Sequence, residues 1–279
     1  MAWGKLAVTN KDVVPHTYRV NEPEDLPAWI NAVAAEYVAL RTECIVSIDS
    51  PLEITGVGIV SVESIQRRLQ HACVPQSDLH KKQFSVTRSD LSEVAAYMTL
   101  EKDYSTEIGF KLTRDRELIT LPGRGIDAIG IEQGNKIVVV LTEVKFSDEN
   151  SAPKPPAVVD QKKDSMRNQH LAHLKEREKT TSKLFECARK TKDENLRNQY
   201  LTAAFYFEEE RWDLMEVVSC CVLVRPKERQ CDGDFGSFIN TPDDFKPAKV
   251  RFIVISLPDS IDNIMKSWSD RVEEMRLPQ

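Results

Sequence analysis

Two apolar runs separated by a short polar turn constrain the fold of this chain more than any other feature. Residues 126–131 and 137–146 are rich in β-branched and aliphatic side chains, and the sequence QGNK between them is typical of a hairpin turn. Three ionisable residues, Asp127, Glu143 and Lys145, interrupt these runs. Because side chains alternate between the two faces of a strand, we expect Glu143 and Lys145 on the same face.

The length of the turn decides whether Asp127 joins them. A three-residue loop places Asp127 opposite Glu143, whereas a two-residue loop places it opposite Thr142, facing the other way. We expect the three-residue loop. Two carboxylates on one face can share a hard divalent cation, and a neighbouring lysine can reach a bound water or a phosphate.

The alternative is a surface ion pair between Glu143 and Lys145 on the solvated face of a hairpin. The apolar run around them favours a strand that is buried on both faces. Buried charges are costly unless they are paired or bound to a metal. The surroundings therefore favour a functional site.

A third carboxylate lies in the segment RSDLSEVAAYMTL, residues 88–100. Its apolar residues predict a largely buried helix that begins at Asp90, and Glu93 is an unusual residue on such a helix. The sequence from Asp90 to Glu93 is also a capping box, in which Glu93 would serve the end of the helix. Both interpretations stay open.

In order and spacing these residues resemble the PD-(D/E)XK nuclease superfamily. A helix carries Glu93 in the sequence SEVAAY, Asp127 follows, and Glu143-Val144-Lys145 completes the pattern, so the resemblance spans about residues 88–175. Ile126 stands where the name of the superfamily has Pro. The sequences RGIDAIGI and LTEVKFS and the helical C-terminal half resemble more narrowly the nuclease subunits of the Hachiman antiphage defence system, which act beside a superfamily 2 helicase.

The resemblance implies metal-dependent cleavage of DNA with Mg²⁺ or Mn²⁺. Asp127 and Glu143 would be the metal ligands, Lys145 would act at the attacking water, and Glu93 would be a further acid. DNA and a superfamily 2 helicase subunit would be the partners, in a cytoplasmic antiviral complex. The alternative function is a non-catalytic scaffold or DNA-binding subunit that retains the nuclease fold.

A basic region follows the last apolar strand. Between Gln161 and Lys192, ten basic residues outnumber four acidic ones. This predicts contacts with DNA phosphates, and the alternative is a solvated helix face with ion pairs. The resemblance implies a Gln or Lys that faces the site from the helix after the Glu143 strand, and Gln161 and Gln169 are candidates for it. His170 and His173 would need a third ligand, which the sequence does not show, to hold a second metal.

Helical and extended patterns together predict an α/β fold with a mixed sheet flanked by helices. The resemblance implies that this sheet is restriction-endonuclease-like. We expect an N-terminal α/β extension over residues 1–80 and a nuclease domain over residues 81–279, with a linker that begins at Pro75. Helices are expected at 24–41, 62–71, 90–102, 160–190, 193–211 and 260–274, and strands at 44–48, 54–60, 108–112, 126–131, 137–146, 215–224 and 250–256.

Composition excludes several classes of protein. With 41% hydrophobic and 29% charged residues, the 279-residue chain is not a disordered tail. Its net charge of −6 lacks the basic footprint of a DNA-binding protein, so we expect a stable complex with the helicase, with contacts from residues 1–80 or 193–211. No stretch approaches the roughly 18 apolar residues of a membrane span, and no signal peptide is expected. Six cysteines without a CxxC pair favour a reduced cytoplasm.

Overall fold

A seven-stranded mixed sheet, flanked by helices on both faces, is the central feature of the fold. The computed structural model describes residues 6–43, 45, 47–74, 83–115 and 125–276. The predicted α/β fold with a mixed sheet between helices is confirmed. A separate two-stranded sheet is formed by Leu52–Ile54 and Gly58–Val60. Within the described ranges, no helix is long and apolar enough to cross a bilayer.

The elements alternate along the chain, with most helices in the C-terminal half. The strands are β1 (Leu6–Asn10), β2 (Thr17–Pro23), β3 (Leu52–Ile54), β4 (Gly58–Val60), β5 (Glu107–Lys111), β6 (Ala128–Glu132), β7 (Ile137–Phe146), β8 (Met215–Pro226) and β9 (Lys249–Leu257). The helices are α1 (Leu26–Thr42), α2 (Val62–Cys73), α3 (Gln83–Asp103), α4 (Leu112–Asp115), α5 (Ala157–Asp160), α6 (Met166–Lys175), α7 (Arg177–Lys190), α8 (Glu194–Glu208), α9 (Gly236–Asn240) and α10 (Ile261–Arg276).

The order of strands across the sheet is β1-β2-β9-β8-β7-β6-β5. The four middle strands, β2, β9, β8 and β7, run parallel to one another, whereas β1 pairs with β2, β6 with β7 and β5 with β6 in antiparallel fashion. Central parallel strands are covered on both faces, which explains their nearly continuous apolar sequences. The predicted hairpin is the β6–β7 pair, next to the parallel part of the sheet.

Helices cover the two faces of the sheet separately. On the first face, α1, α3 and α10 pack against Val140 and Val144 of β7, with Trp268 in the same core. On the second face, α5 to α9 pack against the remaining apolar residues, which include Val139 and Leu141. Odd-numbered residues of β7 therefore face α5 to α9.

The N-terminal region shares this sheet and core. β2 pairs in parallel with β9, and α1 packs with α3 and α10 in the core of the first face. Strands β1 and β2 were not predicted from the sequence. The linker that begins at Pro75 and the boundary near residue 80 lie outside the described residues, so the division into two domains stays a prediction.

Other local predictions need correction. The helix expected over 160–190 is two helices, α6 and α7, which follow the end of α5 at Asp160. Ser165 caps α6 by accepting from the backbone N–H of Asn168, and Glu176 leaves the helical conformation between α6 and α7. The strand expected over 54–60 is the hairpin of β3 and β4, with Gly56 in its turn at a φ of +81°. Within 44–48, the described residues 45, 47 and 48 are not in a strand.

Candidate active site

Strands β6 and β7 pair in the register that brings Asp127 opposite Glu143. Ala128 lies opposite Thr142, and Asp127 precedes Ala128. The backbone N–H of Asp127 donates to the carbonyl oxygen of Thr142 at 3.1 Å, and Val144 donates its N–H to Oδ2 of Asp127 at 2.7 Å. The predicted three-residue loop is confirmed by this register.

The two carboxyl groups are removed from solvent. Glu143 is 0% exposed and Asp127 is 8% exposed, on the face of the sheet that α5 to α9 cover. Lys145, two residues after Glu143, is half-buried on the same face. In the part of the chain that the structure describes, Lys145 has no hydrogen bond or ion pair of its own. The surface ion pair considered from the sequence is therefore absent.

Burial determines the protonation of the pair. It raises the pKa of Asp127 to about 8, with a further contribution from the charge of Glu143 and an opposing one from Lys145. Burial also raises the pKa of Glu143 to about 8, again opposed by Lys145. Two carboxyl groups this close repel each other when both are ionised, so the pair favours a proton or a cation between them.

Helix α6 brings His173 to the same carboxylate. Its Nε2 lies 2.5 Å from Oε1 of Glu143, whereas Oε2 of Glu143 is buried with no hydrogen-bond partner. Burial lowers the pKa of His173 to about 4, so the ring is neutral at pH 7. Sequence reasoning considered His173 only beside His170 for a second metal. The only sequence feature that could have linked His173 to the site was its place on the helix after the Glu143 strand. That feature does not show which residue of the helix points toward the site.

Glu93 does not cap its helix. α3 begins at Gln83, so Glu93 lies in the helix interior, and the capping-box interpretation was wrong. Asp90, the other member of the supposed box, accepts hydrogen bonds from Tyr37 at 3.1 Å and Arg41 at 3.3 Å. The predicted start of this helix at Asp90 was equally wrong, because the helix begins seven residues earlier, at Gln83.

Glu93 reaches the carboxyl pair through a tyrosine. Its Oε2 accepts a 2.5 Å hydrogen bond from Oγ1 of Thr113, and the hydroxyl of Tyr97 lies 3.2 Å away. The same hydroxyl lies 3.1 Å from the carbonyl oxygen of Asp127. The negative charge of Glu93 contributes to the raised pKa of Glu143. Glu93 is therefore part of the buried network behind the pair, and Tyr97 links it to Asp127.

The oxygen donors present suit a hard cation. Among the described residues, no group of three His, Cys, Asp or Glu side chains could hold a metal. Mg²⁺ is usually bound through one or two carboxylates and keeps several waters, so Asp127 and Glu143 fit it without a third side chain. Oε2 of Glu143 has no hydrogen-bond partner, so this oxygen atom could coordinate the cation. The rings of His170 and His173 meet edge to face at 6.1 Å, and the described part of the chain offers no third ligand for a metal between them.

A groove of about 600 Å³ leads along α6 and α7 to His173. Gly125 and Ile126 form its wall on the side of Asp127, and Gln169 lies one helical turn before His173. The Oε1 atom of Gln169 is buried without a hydrogen-bond partner, whereas Gln161 is exposed after α5. Of the two glutamines predicted as candidates, Gln169 is the one on the side of the site.

Ion pairs neutralise half of the basic region. The five paired residues are Arg167 with Asp244, Arg177 with Glu210, Lys179 with Glu176, Lys183 with Glu186, and Lys190 with Asp115 and Glu186. Pairs of this kind are typical of a solvated helix face. The other five basic residues make no ion pair within the described ranges: Lys162, Lys163, Lys175, Arg189 and Lys192.

Comparison with protein-family models, with curated proteins and with solved structures gave no match. The functional argument therefore depends on the geometry of the carboxyl pair and its neighbours.

Proposed function

We propose that this protein is a metal-dependent deoxyribonuclease that hydrolyses phosphodiester bonds with Mg²⁺ or Mn²⁺. One observation supports this most strongly. Asp127 and Glu143 lie opposite each other on one buried face, with Lys145 beside them. Burying two adjacent carboxyls that only the half-buried Lys145 opposes in charge is unfavourable for folding alone, and groups with perturbed pKa values are concentrated at functional sites.

Each residue would have a separate task. Asp127, held by the N–H of Val144, and Glu143, through its free Oε2, would hold the cation. Bound there, the cation would lower the pKa of a water and offset charge on the phosphate. Lys145 lies close enough for its charge to act on both carboxyls but makes no hydrogen bond or ion pair among the described residues, so its ammonium group would be available to orient the attacking water or a phosphate oxygen.

The alternative is a non-catalytic scaffold or DNA-binding subunit that retains the same fold. Glu143 is fully buried, and no group of three potential ligands occurs in the described part of the chain. Both facts would suit a site without turnover. The hydrolase is favoured because an inactive site has no need to keep a carboxyl pair whose pKa values are raised by burial.

We also propose that the protein acts as the effector of a cytoplasmic antiphage defence complex with a superfamily 2 helicase. The chain has a net charge of −6, and half of its basic region is neutralised by ion pairs. Non-specific affinity for DNA comes from neutralised phosphates, so this chain needs a partner that supplies DNA contacts.

Supercoiled plasmid tests the proposal directly. The purified protein, alone and with the helicase, is incubated with Mg²⁺, with Mn²⁺ and with a chelator. We expect nicking that requires the metal and is lost in Asp127→Asn, which keeps the size of the side chain and removes its charge. Lys266→Gln, on the exposed side of α10 and on the other face of the sheet, is the control for charge changes outside the site. DNA binding without nicking in both preparations would support the scaffold instead.

A further inference from the structure

His173 contacts the carboxylate that the proposed function assigns to the metal. The 2.5 Å contact joins its Nε2 to Oε1 of Glu143, and it links helix α6 to strand β7. A proton on either atom makes this a hydrogen bond. In both cases Oε1 is engaged, and Oε2 is the oxygen of Glu143 that remains without a partner.

The surroundings hold the imidazole in place. Thr180, at the start of α7, donates its hydroxyl to the carbonyl oxygen of His173 at 2.8 Å. The ring packs edge to face against His170, which in turn packs against Phe238. Only 13% of the His173 side chain is exposed, toward the groove along α6 and α7. The ring is therefore a fixed group between that groove and the buried carboxyl pair.

We propose that His173 is a positioning residue, which holds Oε1 of Glu143 so that Oε2 is presented to the metal. This inference rests on the proposed function. A carboxylate on a strand can rotate about its side-chain bonds, and a partner on a neighbouring helix fixes one orientation. Partners that orient metal ligands are typically worth about 10–100-fold in metal affinity or activity.

Substitution can separate positioning from direct ligation. Glutamine places its amide nitrogen as many bonds from Cα as Nε2 of histidine, whereas asparagine places it where Nδ1 would be. His173→Gln can therefore donate to Oε1 of Glu143, and His173→Asn is too short. A side-chain amide is a poor substitute for imidazole as a metal ligand. Asn168→Ala, on the exposed side of α6, is the matched control.

The experiment measures the dissociation constant of Mn²⁺ by calorimetry at one pH and without DNA. We expect His173→Ala and His173→Asn to bind about 10–100-fold more weakly than wild type. We expect His173→Gln and Asn168→Ala to bind nearly as tightly as wild type. Melting curves on the same samples identify any variant that does not fold. If His173→Ala is unfolded, the comparison of Gln with Asn decides, because both keep an amide at this position.

Three other outcomes would contradict the positioning role of His173 or the metal site itself. Equal affinity in wild type, His173→Ala and His173→Asn would show that His173 does not position Glu143, while the metal site itself stands. A loss in His173→Gln as large as in His173→Ala would make His173 a ligand rather than a positioning residue. Wild-type protein that binds no Mn²⁺ at millimolar concentration would overturn the proposed function and this inference together.

Discussion

The backbone N–H of Val144 donates a 2.7 Å hydrogen bond to Oδ2 of Asp127, so the strand that carries Glu143 and Lys145 also holds the carboxyl opposite them. The side chain of Val144 is buried in the core of the other face. A slip of one residue in this register would expose that valine to the site and turn Asp127 away from Glu143. The packing of the core and the geometry of the carboxyl pair therefore depend on the same register.

Metal-free stability should fall as pH rises from 6.5 to about 8. The folded-state pKa values of Asp127 and Glu143 are raised to about 8, so their contribution is present at low pH and is lost as pH rises through that value. The pKa of His173 is lowered from 6.5 to about 4, so its contribution is lost in the opposite direction, below pH 6.5. The pKa values of His16 and His170 are also lowered, so these imidazoles oppose the decline mainly up to about one pH unit above 6.5, and the carboxyl contribution dominates nearer pH 8.

Urea denaturation across this window, with wild type and Asp127→Asn, measures the effect. Asparagine cannot ionise, so the variant should lose less stability than wild type as pH rises. Saturating Mg²⁺ should remove most of the decline in wild type, because a bound cation replaces the proton. Parallel curves for the two proteins without metal would show that the carboxyl pair does not titrate in this range.

Tyr97→Phe should destabilise the protein by about 1–3 kcal/mol, because a buried polar network loses its shared hydroxyl. The hydroxyl lies within hydrogen-bond distance of Glu93 and of the Asp127 carbonyl, and it accepts from the N–H of Thr113 at 3.3 Å. Plasmid cleavage should fall as well, since the backbone carbonyl of Asp127 loses its hydrogen bond from the Tyr97 hydroxyl. Tyr206→Phe on α8 is the control, and an equal stability of the two variants would argue against a linking role for Tyr97.

If the proposed helicase partner binds through the N-terminal region, we expect the hairpin of β3 and β4 to form the contact. Val57 is 72% exposed and Ile59 is 79% exposed, and α2, which follows them, has no buried residue. Val57→Asp with Ile59→Asp should leave the melting temperature unchanged and abolish co-elution in size exclusion at micromolar concentration. Val14→Asp, at a position that is 93% exposed in a different turn, should still co-elute. Co-elution of the double variant would place the contact elsewhere.

Local patterns in the sequence were sufficient for the centre of the fold. The apolar runs of β6 and β7 and the turn between them predict the register that places Asp127 opposite Glu143. The prediction succeeds because hairpin pairing depends on neighbouring residues and on the alternation of side chains. The assignment of this pair to metal-dependent cleavage stays a prediction.

Features that depend on distant residues could not be predicted. β2 pairs with β9, more than two hundred positions later in the chain, and nothing in its own sequence identifies that partner. The contact of His173 with Glu143 depends on where α6 begins, which Ser165 determines by capping it. Glu93 was ambiguous because a capping box also occurs inside helices, where it caps nothing.

Glu143→Gln tests the central claim most directly, through two measurements on the same preparations: the nicking rate with Mg²⁺ and the melting temperature without metal. Glutamine keeps the volume of the side chain and a partner for His173, but it removes the charge that a cation requires. We predict that nicking falls by roughly a hundred- to a thousandfold, the usual value of a preorganised charge at a reacting centre. The metal-free melting temperature should stay level or rise, because a buried carboxyl beside Asp127 is removed. Undiminished nicking, or a loss of stability of about 3–5 kcal/mol as in a broken buried ion pair, would contradict the metal-binding role of Glu143.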